Sequence, residues 1–230
     1  MAFFAMAIAC GALFASSAAQ AGTGNGGLGY EAQGSAAGDD AAIAASDSAN
    51  VGTPLRLRGT VTGAARGAAI EIQRLDSKLG WVSAVSTTAG AGGSFDVLWT
   101  PAVAERTSLR AIAGGGAAIR AASAIPSHRV SVYKSASATW YGPGLWGNRL
   151  ACGKARLTRR LQGVAHKTLP CGTRVQIQYR GRTVTVPVVD RGPFRAGTTW
   201  DLTYATARAL GFRKSDRIGA LTVARSAARS

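Results

Sequence analysis

Short segments in which apolar and polar residues alternate dominate this chain from residue 51 onward, and turns rich in Gly and Ser separate them. The clearest segments are 55–58, 69–73, 81–85, 94–99, 108–112, 129–132, 173–179, 183–189 and 218–223. Alternation places every second side chain on one face of an extended strand, and strands at this spacing are typical of sandwiches and barrels. The pattern therefore predicts an all-β fold, in which residues 202–210, followed by Gly211, form one short helix.

The first 50 residues differ in composition from the rest. Residues 1–21 contain an apolar run from Phe3 to Phe14 and end in an A-x-A-like site at 19–21, which predicts a secretory signal peptide. The run is short for a bilayer span of about 20 residues, and lipoprotein anchoring at Cys10 is the less favoured alternative. Residues 22–50 are small and polar, which predicts a disordered linker. We expect a secreted or cell-wall protein with no stable membrane insertion after signal cleavage.

Two domains account for the alternating segments. Residues 51–132 contain no cluster of His, Cys or paired acids, and we predict a small immunoglobulin-like β-sandwich that acts as a spacer or docking module. Residues 135–226 form the second predicted domain. Within it, two alternating segments, 173–179 and 183–189, lie on either side of a turn at 180–181, which predicts a β-hairpin. This second domain contains all the motifs that could support chemistry.

Two of the three cysteines, Cys152 and Cys171, lie in the second domain, and Cys10 lies in the predicted signal peptide. Two cysteines in an exported chain most simply form one disulfide bond. It would close a loop of about 20 residues and contribute roughly 3 kcal/mol in the chain-entropy model. A Cys nucleophile or a metal pair is disfavoured, because neither residue belongs to a C-x-x-C motif.

The positive charge is concentrated in the second domain. The formal net charge is +16, and from Val132 onward 18 Lys and Arg residues accompany three Asp residues. Such a domain attracts polyanions, and anionic cell-wall polymers are the expected partners; a solvated basic surface is the alternative. No nucleic-acid partner is expected, because the chain lacks a basic recognition helix and an RNA-binding motif.

Carboxylates are scarce where the motifs lie. No Asp or Glu occurs between Glu105 and Asp190, and after Asp190 there are only Asp201 and Asp216. Asp216 lies in a charged segment that is typical of a solvated turn. Carboxylate chemistry in this domain therefore depends on Asp190 and Asp201. The sequence shows no metal-ligand spacing and no cofactor motif, so we expect neither a metal nor a cofactor.

Four short motifs occur in the second domain: W-Y-G-P-G at 140–144, A-H-K-T-L-P at 165–170, D-R-G-P-F at 190–194 and D-L-T at 201–203. With these motifs, residues 138–224 resemble the RlpA-like double-psi β-barrel of septal-ring lytic transglycosylases, to which expansin barrels are related. The resemblance implies a six-stranded barrel with an open groove. It also implies a lyase that acts on the glycan strands of peptidoglycan.

The resemblance implies catalytic roles for Asp190, His166 and Asp201. Asp190 follows an apolar strand, where partial desolvation would let its carboxyl group hold a proton and act as general acid/base; a turn-forming role is the alternative. One such group can suffice, because internal attack by a sugar hydroxyl needs no water. The resemblance places His166 across the groove from Asp190. Asp201 either lies in the groove or caps helix 202–210, and it could do both.

Aromatic, glycine, proline and basic residues form the predicted substrate-binding surface: Tyr141, Gly142, Trp146, Lys154, Arg191 and Pro193. Aromatic faces suit the apolar faces of sugars, and glycine lets the backbone approach a ligand. One position departs from the family pattern, since transglycosylase members usually carry Glu after the Gly that is Gly153 here, and this chain has Lys154. The alternative function is therefore a non-catalytic, expansin-like module that binds or loosens the cell wall.

Overall fold

The computed structural model describes residues 33–37, 41–113 and 126–223. This part contains fourteen strands, a 3₁₀ turn (Ala91–Gly93) and one α-helix, α1 (Tyr204–Leu210), so the predicted all-β fold with one short helix is confirmed. The predicted signal peptide, 1–21, lies outside the described residues. Among the described residues, no helix has the length and apolar character needed to cross a membrane.

Two sheets pack against each other in the N-terminal part. The first contains, in spatial order, β1 (Gln33–Ala37), β2 (Ala41–Ser46), β4 (Leu55–Val61) and β7 (Ser94–Trp99). The second contains β6 (Gly80–Thr88), β5 (Ala69–Asp76), β8 (Arg106–Ala113) and the first half of β9 (His128–Tyr141), along which β3 (Ser48–Asn50) runs parallel. Their inward side chains, which include Ile43, Leu57, Ile72, Leu109 and Val130, form one buried core. This is a β-sandwich, and its immunoglobulin-like character stays a prediction.

The disordered linker predicted for residues 22–50 is wrong for the residues that form β1, β2 and β3 within it, 33–37, 41–46 and 48–50. Few of these residues are large and apolar, so their pattern does not indicate a strand. Small side chains nevertheless suit this position, because β2 passes so close to β4 that a Cβ on Gly59 would collide with the Ala42 carbonyl oxygen and the Phe95 ring. Main-chain pairing with β4 and the burial of Ile43 hold the strand in place.

The C-terminal part is a closed barrel. Its six strands are the second half of β9, β10 (Val164–Ala165), β11 (Arg174–Tyr179), β12 (Arg182–Asp190), β13 (Trp200–Thr203) and β14 (Asp216–Val223). Around the ring the order is β13, β10, β12, β11, β14 and β9, and β9 pairs with β13 to close it. The pairs β10–β12 and β13–β9 are parallel, and the other pairs are antiparallel. The predicted six-stranded barrel is confirmed.

The hairpin predicted around residues 180–181 is the β11–β12 connection. Tyr179 pairs with Arg182, and the two residues between them, Arg180 and Gly181, have φ angles of 47° and 76°. Two consecutive positive φ angles are typical of a type I′ turn, whose twist matches that of the flanking strands.

Helix α1 begins two residues later than predicted. Its N-cap is Thr203, whose side chain accepts a hydrogen bond from the backbone N–H of Thr206. The predicted alternative that Asp201 caps the helix is therefore wrong, because Asp201 lies on β13. Gly211 ends the helix in the left-handed conformation, as predicted.

One strand, β9, belongs to both domains. Its first half pairs with β8 of the sandwich, and its second half pairs with β14 and β13 of the barrel. Side chains also cross between the domains: Arg106 donates to Gln176 Oε1 at 2.6 Å, and Gln178 donates to Ser48 Oγ at 3.3 Å. The predicted boundary at 132–135 falls inside this strand, so sandwich and barrel follow one another without a loop.

Leu202 provides a test of the barrel core. Its side chain is fully buried between β10 and β9. We expect Leu202→Ala to lower the free energy of unfolding by about 2–5 kcal/mol, because the removed atoms leave a cavity. The control Leu98→Ala removes the same atoms from an exposed strand position and should change stability by less than about 0.5 kcal/mol. Urea unfolding followed by circular dichroism measures both; equal effects would contradict this core.

Candidate active site

A row of side chains from four neighbouring strands crosses one face of the barrel wall. Ala165 on β10 pairs with Asp190 on β12 to one side and with Asp201 on β13 to the other. Asp201 pairs in turn with Thr139 on β9. Because adjacent strands lie about 4.8 Å apart, the two aspartate Cα atoms stand roughly 10 Å apart, with the small Ala165 side chain between them. Strand pairing thus brings together the two carboxylates that the motifs contain.

A cavity of about 300 Å³, which we call the acid–base cavity, lies over this row. Its lining residues are Thr139, Tyr141, Leu145, Ala165, Asp190, Arg191, Gly192, Pro193, Phe194, Arg195 and Asp201. Two somewhat larger cavities in the described part contain no carboxylate. Of the predicted site residues, the acid–base cavity brings together Asp190, Asp201, Tyr141, Arg191 and Pro193.

Backbone donors hold Asp190 in one orientation. Its Oδ1 atom accepts hydrogen bonds from the N–H groups of Ala151 and Arg191, both at 2.9 Å. The loop that contributes Ala151 is itself tied to β12, since the N–H of Cys152 donates to the Val189 carbonyl oxygen at 3.2 Å. Hydrogen bonds to a charged acceptor are among the stronger ones, so the Asp190 carboxylate is fixed at the edge of the cavity.

The other carboxylate, Asp201, has a side chain as its hydrogen-bond partner. It is partly buried, and its Oδ1 atom accepts a hydrogen bond from the Thr139 hydroxyl at 2.7 Å. Burial raises the pKa of Asp201 above its ordinary value; the Thr139 hydrogen bond acts in the opposite direction, and the negative charge of Asp190 adds to the rise. A raised pKa widens the pH range in which the carboxyl group holds a proton, as a general acid requires.

Tyr141 adds a hydroxyl group beside the two carboxylates. The oxygen is buried and makes no well-formed hydrogen bond within the described residues. Burial raises the pKa of Tyr141, and the charges of Asp190 and Asp201 raise it further, so the hydroxyl stays neutral and can donate. The Asp190 carboxylate lies beside this hydroxyl without a hydrogen bond of good geometry, so a ligand oxygen in the cavity would accept its hydrogen bond favourably.

The predicted disulfide bond between Cys152 and Cys171 is present and fastens the loops around Asp190. Beside it, the Arg191 guanidinium donates to the carbonyl oxygens of His166 at 3.2 Å and Leu169 at 2.9 Å, and it contacts Cys171 Sγ at 3.1 Å. The charged end of Arg191 is thus occupied in supporting the 166–171 loop, although the residue lines the cavity.

The resemblance implies that His166 lies across the groove from Asp190, but the structure places its side chain elsewhere. Its backbone N–H donates to the Asp190 carbonyl oxygen at 3.2 Å, but its ring lines a separate cavity of about 520 Å³ and packs on Trp200, with ring centroids 4.5 Å apart. Successive side chains alternate between the faces of a strand, so the residue after Ala165 points away from the acid–base cavity. A catalytic role for His166 stays a prediction.

The His166 imidazole is positioned by its own loop. Its Nδ1 atom accepts hydrogen bonds from the backbone N–H groups of Thr168 at 3.2 Å and Leu169 at 3.0 Å. Burial lowers the pKa of His166, and the positive charges of Arg191 and Lys167 lower it further. A neutral imidazole that accepts at Nδ1 carries its proton on Nε2, which suits a structural or hydrogen-bonding role.

Three predicted binding residues lie outside the acid–base cavity. Gly142 is buried, and a Cβ there would collide with the Trp146 ring and Tyr204, so this glycine permits ring packing rather than ligand approach. Trp146 packs edge-on against Tyr204, with ring centroids 5.7 Å apart, and joins a small apolar cluster with Tyr141. Lys154 is exposed. The binding roles of all three stay predictions.

Phe194 and Thr139 also line the cavity, although neither is among the site residues predicted from the sequence. Phe194 is 87% exposed, so its ring is free to stack on a sugar. Its position in the D-R-G-P-F motif is the signal that could have indicated it. Thr139 offers no such signal, because only the pairing of β9 with β13 brings it to Asp201.

The site therefore combines groups suited to acid–base chemistry on a sugar. It has a carboxyl group whose burial favours the protonated form, a second carboxylate oriented by two N–H donors, and a neutral phenol. Such a pair can protonate a leaving oxygen and accept a proton from a nucleophile. Within the described residues, no group of three or more His, Cys, Asp or Glu could hold a metal ion.

Comparison with known proteins identifies relatives of the barrel. A family model described as lytic transglycolase matches residues 133–224. The probable endolytic peptidoglycan transglycosylase RlpA of Synechocystis sp. is 39% identical over 119 residues, which cover 46% of this chain and 37% of that protein. The endolytic peptidoglycan transglycosylase RlpA of Neisseria meningitidis serogroup A is 32% identical over 122 residues, which cover 52% of this chain and 51% of that protein. The chain thus spans between about a third and a half of these relatives.

A solved structure, the Streptomyces papain inhibitor, is also similar. It is 25% identical, covers 38% of this chain and 92% of its own, and has a TM-score of 0.30. A likeness at this TM-score supports no inference about function.

Removal of the disulfide bond tests its contribution to this site. The bond closes a loop with a sequence separation of 19 residues, so we expect the double variant Cys152→Ala/Cys171→Ala to lose about 3 kcal/mol of unfolding free energy. Urea unfolding with and without a thiol reductant measures this loss. Reductant should lower the stability of the wild type to that of the variant and leave the variant unchanged; a wild type insensitive to reductant, with reduction verified by thiol titration, would contradict a stabilising role.

Proposed function

We propose that this chain, whose residues 133–224 form an RlpA-like double-psi β-barrel domain, is an exported lytic transglycosylase that cleaves the glycan strands of peptidoglycan. One observation carries the proposal: Asp190 and Asp201 flank Ala165 in a single cavity, in different environments. The names of the relatives support the reaction class and the substrate.

The burial of Asp201 supports assigning the acid role to this residue. The resemblance assigns the acid/base role to Asp190, but burial raises the pKa of Asp201, whose carboxylate is paired with a single neutral hydroxyl donor, Thr139. Asp190, held by two N–H groups, is suited to receive a proton in a fixed direction. We therefore assign proton donation to Asp201 and proton acceptance to Asp190.

The proposed reaction needs no water as nucleophile. Asp201 donates its proton to the glycosidic oxygen as the bond from that oxygen to C1 of the muramoyl sugar breaks. The C6 hydroxyl of the same sugar attacks C1, and Asp190 accepts the hydroxyl proton. The products are a 1,6-anhydro sugar and a chain end with a free hydroxyl. Exchange with solvent then returns Asp201 to its protonated form and Asp190 to its ionised form.

The remaining cavity residues support substrate binding. The exposed Phe194 ring offers a stacking face, and the Tyr141 hydroxyl offers a donor beside the reacting groups. Pro193 and the aliphatic part of Arg191 complete the wall near Asp190. We further propose that the protein works in the cell wall, that its positive charge favours anionic wall polymers, and that the sandwich acts as a spacer.

A non-catalytic wall-binding module is the second candidate function. The observation in its favour is Lys154, which is exposed and lies outside the acid–base cavity, at the position where transglycosylase members usually carry Glu. The stacking face of Phe194 would serve binding equally well without cleavage. The two functions differ in their products, since binding alone releases no anhydro sugar.

Product analysis tests the proposed function. We expect the purified chain to release soluble fragments ending in a 1,6-anhydro sugar from peptidoglycan, both intact and amidase-stripped, as detected by mass spectrometry. Asp190→Asn and Asp201→Asn should each lower the release by a factor of about 10²–10⁴, because each loses a proton-transfer group. Thermal unfolding establishes that the variants are folded. If either variant releases fragments at the wild-type rate, the substituted aspartate does not have the proposed role. If the wild-type protein pellets with the wall but releases no fragments, the binding module is favoured.

The pH dependence tests the acid role of Asp201. Activity should fall as the pH rises through the pKa of Asp201, because the ionised carboxylate cannot donate a proton. Thr139→Val removes a hydrogen bond that lowers this pKa, so the variant should lose activity at a higher pH than the wild type. The matched control Thr183→Val, at an exposed position of β12, should leave the profile unchanged. A shift to lower pH in Thr139→Val would contradict the assignment.

A further inference from the structure

Another cavity of the barrel contains three arginines and shares no lining residue with the acid–base cavity. It encloses about 340 Å³ beside the C-terminal end of α1, and we call it the arginine cavity. Its lining residues are Trp140, Arg182, Tyr204, Ala207, Arg208, Gly211, Phe212 and Arg213. Neither the motifs nor the proposed reaction assigns it a role.

The positive charge of the arginine cavity is not balanced within the described residues. No carboxylate lines it, the Arg182 and Arg213 side chains form no hydrogen bond or ion pair there, and the Arg208 guanidinium donates to the Tyr204 hydroxyl at 3.1 Å. The C-terminal end of a helix contributes about half a negative charge, which is too little to balance three guanidinium groups. The cavity therefore favours an anion.

The Arg208 guanidinium is held in position by Tyr204, and the Arg182 guanidinium lies beside Gly211. Arg182 packs against Gly211 so closely that a Cβ on this glycine would lie 3.2 Å from Arg182 Nη1. Arg208 lies over the Tyr204 ring, 5.7 Å from its centroid, in addition to its hydrogen bond with the hydroxyl. A positioned guanidinium loses little conformational entropy on binding, and its planar fork matches the oxygens of a carboxylate or a phosphate.

Aromatic rings form the other wall of the arginine cavity. Trp140 and Tyr204 are both partly exposed, and their ring centroids lie 5.9 Å apart. Trp140 is fixed in place, because its Nε1 group donates to the Arg213 carbonyl oxygen at 3.1 Å. Partly exposed, immobilised rings suit the apolar face of a pyranose, and here they adjoin groups that bind an acid.

We propose that the arginine cavity is a second binding site, which takes an acidic saccharide. The carboxylate or phosphate group of the saccharide pairs with Arg182 and Arg208, and its ring packs on Trp140 and Tyr204. The site lies apart from Asp190 and Asp201, and its binding does not depend on whether the barrel cleaves glycan.

Calorimetric titration of the purified chain with two matched pairs of probes tests the proposal. One pair is galacturonate oligomers and their methyl esters, and the other is a phosphomannan and the corresponding neutral mannan. We expect the acidic member of at least one pair to bind about tenfold or more tightly than its neutral counterpart, because only the acid forms charge-assisted hydrogen bonds. The pair with the larger difference identifies carboxylate or phosphate as the preferred acid.

Charge-matched variants separate this site from general attraction to a basic protein. Arg182→Gln/Arg208→Gln should weaken binding of the acidic probe about tenfold or more, whereas Arg129→Gln/Arg160→Gln, which removes the same charge from exposed positions outside the three cavities, should change it less than about twofold. Arg182→Lys/Arg208→Lys retains the charge but loses the fork and should restore little binding. Unfolding temperatures verify the fold of each variant.

Three results would overturn the proposal. The first is an equal loss of binding in the control pair, which would mean that net charge alone attracts the probe. The second is equal affinity for acidic and neutral probes, and the third is the absence of binding to every probe by wild-type protein. Probe binding that depends on Arg182 and Arg208, found together with no release of anhydro sugar from peptidoglycan in the product analysis, would refute the proposed cleavage and leave this site standing.

Discussion

Closure of the barrel by the parallel pairing of β9 with β13 is the constraint on which the candidate site depends. Without this pairing, Thr139 would not reach Asp201. The row of side chains that runs from Asp201 through Ala165 to Asp190 would then lack Thr139 at one end. The same strand, β9, begins in the sandwich, so its hydrogen-bond register fixes the barrel wall and the neighbouring domain together. This wall positions both carboxylates of the acid–base cavity, and it also positions Trp140 and Arg182 of the arginine cavity.

Local contacts give chemically identical side chains different uses in this barrel. Asp201 is partly buried and accepts a hydrogen bond from one hydroxyl group, whereas Asp190 is fixed by two backbone N–H groups. The arginines differ in the same manner: Arg191 is engaged by loop carbonyl oxygens, while Arg182 has no polar partner among the described residues. A strongly basic domain can therefore contain both a carboxylate site and a site for acids, because local contacts rather than net charge decide what each group does.

Alternation predicted the strands well where large apolar residues occupy the inward positions, as in β7, where Phe95 and Trp99 are buried. It failed for β2, since a strand of small residues has the same period but little hydrophobic contrast. The motifs identified the two aspartates and Tyr141, because these lie at or near strand ends that face the cavity. They misplaced His166, because motif order does not state which face of a strand each residue takes.

The sequence by itself determined the all-β class, the β11–β12 hairpin, the glycine that ends α1 and the two aspartates available for chemistry. These features follow from local rules: side-chain period, turn conformation and residue count. Tertiary structure alone decided that Asp201 is partly buried and lies on a strand, that Thr139 donates a hydrogen bond to it, and that Arg182 and Arg208 line one cavity with Tyr204. Such contacts join residues distant in sequence, and only the pairing and packing of strands and helix bring them within bonding distance.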